Sequence, residues 1–211
     1  MERIRIYYAK TEPLRYTGNL DVHRVWERLL RRARLPLAYS QGFHPQPRLN
    51  QASPLPLGFL SQAEMIDLWL AEDLDLDVIQ SAVENAAPPG IITKKVERIP
   101  LTDPSLPARV AYSDYLVRLL DPVDSSVLQE KINDLLATPV ITRERRGKSY
   151  DLRPLIHTLE VQPNQEEPHV TLFMRLSASQ GATGRPDEVV SALGIEAQAA
   201  RIERIALHLN P

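Results

Sequence analysis

RIRIYYAK at residues 3–10, LDVHRVWERLLRRAR at 20–34 and EMIDLWLA at 64–71 decide the fold. The first segment, rich in Ile and Tyr, reads as a strand. In the second, Val22, Val25, Trp26, Leu29, Leu30 and Ala33 recur at the spacing of one buried helical face. Asn19 is the expected N-cap, Asp21 suits the positive end of the helix dipole, and the arginines suit its negative end. Pro36 forbids continuation. EMIDLWLA reads as a second strand. Between them, 37–58 carries Pro45, Pro47, Pro54 and Pro56. A central strand does not tolerate that many missing donors, so an edge strand or a shaped loop is expected. A helix over 75–87, with Leu76, Ile79, Val83 and Ala86 inward, is stopped by Pro88-Pro89-Gly90, and IITKKVERI at 91–99 closes this half as a strand.

The remainder repeats the plan. A linker at 100–111 holds Pro100, Pro104 and Pro107. A strand is expected at 113–120, then a helix at 125–137 capped by Ser125 or Ser126, then extended chain over 139–161 turning near Gly147. A strand at 169–177, a helix at 186–193 and a strand at 201–209 follow; Pro186 suits the first helical position and Gly194 the stop. The order βαββαβ occurs twice. The expected architecture is α+β: two tandem ferredoxin-like (βαββαβ) halves with antiparallel sheets, at 1–100 and 112–211.

The 211 residues are 43% hydrophobic and 25% charged, enough to build a core. No apolar run is long enough to cross a bilayer and the N-terminus lacks an apolar signal core, so no membrane association and a cytoplasmic location are expected. There is no cysteine, which excludes disulfides, a cysteine nucleophile, thiolate zinc sites and iron–sulfur clusters held by this chain's own thiolates. The five histidines show no metal-ligand spacing, and neither a metal nor a cofactor is expected. Gly147-Lys148-Ser149 lacks the earlier glycine of a phosphate loop, Thr142 standing in its place.

The net charge of −2 hides a bipolar pattern. Residues 1–48 hold ten Lys/Arg against four Asp/Glu, whereas 49–90 hold seven Asp/Glu and no Lys/Arg. Neutralisation of one segment by the other is the simplest reading. A second basic cluster comprises Arg143, Arg145, Arg146, Lys148 and Arg153. Alternation along a hairpin would put Arg143 and Arg145 on one face. Arg24, Arg28, Arg31 and Arg32 fall on one stripe of the first helix, able to follow phosphates or to pair internally, as Glu27 with Arg31. The stretch Tyr39-Ser40-Gln41-Gly42-Phe43-His44-Pro45-Gln46-Pro47-Arg48 is stiffened by proline and rich in groups that stack or hydrogen-bond. Tyr39, Gln41, Phe43, His44 and Arg48 therefore suit recognition of a polar ligand or an unpaired base.

The run LRYTGNLDVHRVWERLLRRARLPLAYSQGFHPQPRLNQASPLPLG at 14–58 resembles the uncharacterised DUF2344 family of radical SAM-associated proteins. The resemblance continues through SQAEMIDLWL, RGKSYDLRPLI and TGRPDEVVSALG. Two positions depart from the pattern: Gly18-Asn19 stand where Ser-His is expected, and Gln46 where His is common. The resemblance implies genomic association or fusion with a radical SAM protein, often one with a cobalamin-binding domain, and proximity to genes for an E/G-type ribonuclease and ribosomal proteins. It implies no reaction. Three readings follow. In the first, a non-catalytic accessory or substrate-binding module for a radical SAM enzyme holds RNA (tRNA or rRNA) in a basic cleft between the halves. In the second, an RNA-processing or RNA-modifying enzyme uses His44 as general acid or base, with Arg48 or Arg153 on phosphate. In the third, a protein–protein adaptor docks through its acidic segment.

Overall fold

The computed structural model describes residues 1–145, 147–162 and 169–210. Its chain divides into two compact units, 1–110 and 111–210. Each is mixed α+β with antiparallel strand pairs.

In the first unit, β1 (Glu2–Lys10) leads through α1 (Asn19–Arg32) to a three-residue β2 (Leu49–Gln51). β3 (Leu60–Leu70), α2 (Leu76–Ala86) and β4 (Ile91–Ile99) follow, and a single helical turn, α3 (Leu106–Arg109), lies in the segment expected to be a linker. β1 pairs antiparallel with both β3 and β4, and β2 pairs with β3, so the strand order is β4-β1-β3-β2. Alternation along β1 sends Ile4, Ile6 and Tyr8 into one core with Ile66, Leu68 and Leu70 of β3. The predicted face of α1 closes that core through Val22, Trp26, Leu29 and Leu30, each large side chain contributing about 1.5–3 kcal/mol on burial. Trp26 meets Tyr8 edge-on at 4.7 Å. The turn after Pro88-Pro89 requires glycine: Gly90 has φ +103°, and a Cβ there would lie 2.5 Å from Leu14 Cγ.

In the second unit, β5 (Val110–Leu119) and α4 (Ser125–Ala137) precede a hairpin, β6 (Thr142–Arg145) and β7 (Lys148–Asp151). β8 (Ile156–Gln162), β9 (Thr171–Ser179), the two-residue β10 (Ala182–Thr183), α5 (Pro186–Ala192) and β11 (Ala200–Leu209) complete it. β9 pairs antiparallel with β5 on one side and β8 on the other, and β11 neighbours β5, giving β8-β9-β5-β11.

Several local expectations are corrected. The N-cap of α1 is Gly18, in extended backbone and without a side-chain bond; Asn19 is already helical. The cap of α4 is Asp124, which accepts from the Ser126 and Val127 N–H groups, and neither Ser125 nor Ser126. β5 starts at Val110, three residues earlier than expected, and β3 starts at Leu60. His169 precedes β9 instead of lying within it. Glu27 approaches His23 at 3.7 Å, one turn back, and does not pair with Arg31.

Candidate functional site

α1 ends at Arg32 and the chain reverses through Arg34, whose φ is +56°. Leu35 and Leu37 drop into the core on either side of Pro36. The segment then lies along the end of β3: the Ala38 N–H donates to Trp69 O at 2.7 Å, the Trp69 N–H to Arg48 O at 3.2 Å, and the Arg48 N–H to Ala38 O at 2.9 Å. A bridge between Tyr39 and Pro47, and a bond from the Ser40 N–H to Gln46 O at 2.8 Å, extend this into a hairpin-like loop. The Gln46 N–H also donates to Ser40 Oγ. Gly42, at φ +143°, makes the bend at the tip. Phe43, fully in solvent, and the exposed His44 stand there, His44 without a hydrogen-bond or ion-pair partner among the described residues.

The base of the loop borders an open cleft of about 640 Å³ lined by Met1, Ala38, Tyr39, Ser40, Gln41, Arg48 and Ala71. The Arg48 guanidinium carbon lies 4.8 Å from the centre of the Trp69 ring. Among the described residues its side chain makes one hydrogen bond, from Nη1 to Met1 Sδ at 3.2 Å, a weak acceptor, so most of its five donors are unspent at the cleft it lines. Arg3 approaches the same ring at 5.4 Å, but its guanidinium is fully committed. Nε donates to Asp67 Oδ2, Nη1 to Asp103 O and Nη2 to Pro104 O, each at 2.8 Å. Asp67 also binds Arg5, at 2.7 and 3.1 Å. Burial works to lower the Arg5 pKa, yet hydrogen bonds and charge from Asp67 raise it above its ordinary value. Here one carboxylate of the acidic segment, Asp67, pairs with two cations of the basic N-terminus, out of solvent.

The predicted stripe divides. Arg28 and Arg31 are exposed and without a partner among the described residues, whereas Arg24 pairs with Asp21 at 3.1 Å. Arg32 donates instead to Ala86 O, the last residue of α2, and so satisfies a helix-terminal carbonyl.

In the second unit, Arg143 lies opposite Tyr150 and Arg145 opposite Lys148 across the hairpin, so Arg143 and Arg145 share a strand face. Arg143 Nε sits 3.9 Å from Glu188 Oε2; Arg145 and Lys148 are exposed, with no partner among the described residues. Arg146 lies outside the described residues. Arg153 is occupied: Nε donates to Leu136 O at 2.9 Å and Nη1 to Ile156 O at 3.2 Å, closing the C-terminus of α4. Asp151 closes an Asx turn, its Oδ1 accepting the N–H groups of Ile141 and Arg153. The loop residues Tyr39, Gln41 and Arg48 thus come together at one cleft. Trp69, which supports Arg48, was hidden within a strand reading; its signal is phase, since it alternates with the core residues Leu68 and Leu70.

The family model described as an uncharacterized protein conserved in bacteria (DUF2344) matches residues 3–186. The chain belongs to the DUF2344 family. No curated protein matches it. Among solved structures, this DUF2344 chain is similar to one in the crystal structure of a Cbf5-Nop10-Gar1 complex, at 11% identity and a TM-score of 0.52. That match covers 97% of this chain and 48% of the other. A chain of the archaeal box H/ACA sRNP Nop10-Cbf5 complex aligns at 10% identity and a TM-score of 0.43, over 94% of this chain and 46% of that one. The DUF2344 chain therefore spans about half the length of these structures, and the first likeness bears on its fold.

Proposed function

We propose that this DUF2344 chain is a non-catalytic accessory module that binds an unpaired segment of RNA for a radical SAM partner, and that each unit is a ferredoxin-like βαββαβ half. The strand order 4-1-3-2, met in each unit by itself, supports the second part. For the first part, one observation carries the reading: the Arg48 guanidinium lies 4.8 Å from the Trp69 ring centre and lines a cleft, its donors largely unspent, together with the exposed Tyr39 ring and the Gln41 amide. A guanidinium suits a phosphate, a ring stacks on a base, and an amide reads a base edge. The exposed Phe43, His44, Arg28 and Arg31 of the same unit enlarge that surface. A radical SAM partner is proposed from the family resemblance; with no cysteine, this chain supplies no thiolate for an iron–sulfur cluster.

The test is affinity purification of the tagged chain from cells, with and without ribonuclease, followed by anisotropy titration of a labelled unpaired RNA at several salt concentrations. Ribonuclease-sensitive recovery of nucleic acid and a falling affinity with salt are expected. Partners recovered equally after ribonuclease, with no titratable RNA binding, would make the chain a protein adaptor instead.

A further inference from the structure

We propose that one face of the second unit's sheet is a separate stacking surface for the unpaired RNA strand. This rests on the reading of the chain as an RNA-binding module and adds a contact independent of the Arg48 cleft. Side chains alternate along β5 and β9, and Val117, Leu119, Leu172 and Met174 are buried on one side. The other side sets Tyr112 opposite Ser177, Asp114 opposite Arg175 and Leu116 opposite Phe173. β8 slips register between Ile156 and Thr158, and the extra residue, His157, is exposed. Its ring meets Tyr112 edge-on with centroids 4.7 Å apart, and its Nε2 lies 2.7 Å from Ser177 Oγ.

The charge on this face is mixed: Asp114 and Arg175 pair on the central strands, and β8 sets the exposed Glu160 opposite Phe173. Asp114 is 5% exposed and is already bound by Arg175 at 2.7 and 2.8 Å and by His208 at 2.8 Å. Arg175, two-fifths exposed, and the exposed Arg118 are the charges that the two central strands turn to solvent here. Tyr112 and Phe173 stand four residues apart along the ladder, about 14 Å, with Arg175 between them. Rings on two adjacent strands of a sheet, with a guanidinium between, suit two or three splayed bases and the phosphate linking them.

The test uses the full chain and a short labelled oligouridylate, read by anisotropy. Truncating both rings (Tyr112→Ala with Phe173→Ala) is expected to weaken binding about tenfold or more, while Tyr112→Phe, which keeps the ring, stays within about twofold. Ultraviolet cross-linking of the unaltered chain, which needs no variant to fold, is expected to label the peptides holding Tyr112 or Phe173. If the wild type binds and Arg48→Ala weakens it, but the double truncation binds as well as the wild type and no cross-link reaches these peptides, this surface is overturned and the RNA reading stands. If the wild type binds no RNA at all, both fall.

Discussion

Arg48 and Trp69 hold each other in place: the guanidinium carbon sits 4.8 Å from the ring centre, and the Trp69 N–H donates to Arg48 O at 3.2 Å. The backbone bond fixes the strand position and the ring fixes the side chain, so the guanidinium is ordered before any ligand arrives. Preorganisation of this kind lowers the entropy cost of binding.

Arg48→Ala is therefore expected to weaken unpaired RNA about tenfold and to lower the salt slope by about one. Arg48→Lys keeps the charge but loses the planar, five-donor fork beside Trp69, so it should restore the slope and only part of the affinity. Anisotropy titrations across a salt series read both quantities. An unchanged slope in Arg48→Ala would remove Arg48 from the interface.

Asp67 is fully buried between two buried guanidiniums, those of Arg3 and Arg5. Removing the carboxylate leaves two cations out of water without the one counter-charge that both of them contact. Asp67→Ala is expected to cost about 3–5 kcal/mol, read as a loss of Tm or of the denaturation midpoint. Converting all three side chains to apolar residues of similar volume should cost much less, because the desolvation penalty disappears with the charges. Equal losses in the two variants would show that packing, not charge, is what Asp67 supplies.

What the sequence disclosed follows from what each signal measures. The α1 face was legible because Val22, Trp26, Leu29 and Leu30 repeat with the helical period, and all four are buried. The α4 cap was missed because Asp124 directly precedes two serines that are equally good caps by residue type; only backbone conformation chooses among them. α3 was missed because Pro104 and Pro107 read as linker punctuation, whereas Pro107 sits in the first turn of that helix, where a missing N–H costs nothing. At the candidate site, Tyr39, Gln41 and Arg48 were legible as a composition. Trp69 and Ala71 were not, since backbone bonds from Ala38 and Arg48 to Trp69 and from Ala71 to Pro36, all long-range, are what bring them alongside. Arg32 and Arg153 counted as free cations in the sequence, but each serves a helix-terminal carbonyl.

Lys10 is buried, and its Nζ donates to Phe59 O at 3.0 Å and Arg15 O at 3.2 Å. Burial lowers its pKa to about 8, with Glu64 acting in the opposite direction. The folded value lies below the unfolded one of about 10.4, so between these values the folded chain holds fewer protons and stability rises with pH. Below about pH 8 the burial penalty is present in full. Tyr7, its pKa raised by burial and by Glu97, subtracts stability only from about pH 10 upward. The Tm of the wild type minus that of Lys10→Met is expected to grow between about pH 7.5 and about pH 9.5. A difference flat across that range would mean that Lys10 titrates alike in both states.

Arg153 and the pair Arg145 and Lys148 belong to one basic stretch of sequence but stand in different physical situations. Arg153 is part-buried and bonded to Leu136 O and Ile156 O, so Arg153→Ala strands one carbonyl in the last turn of α4 and one at the start of β8. It is expected to cost about 1.5–3 kcal/mol, with the salt dependence of RNA binding unchanged. Arg145 and Lys148 face water across the β6–β7 turn. Replacing both with alanine should leave Tm within about 2 °C and lower the salt slope by up to about two. Measuring Tm and salt slope on the two variants together separates a fold-supporting cation from a phosphate-facing pair. If Arg145→Ala with Lys148→Ala loses stability and keeps its slope, the hairpin belongs to the scaffold and the RNA-contacting surface is confined to the loop and the sheet face.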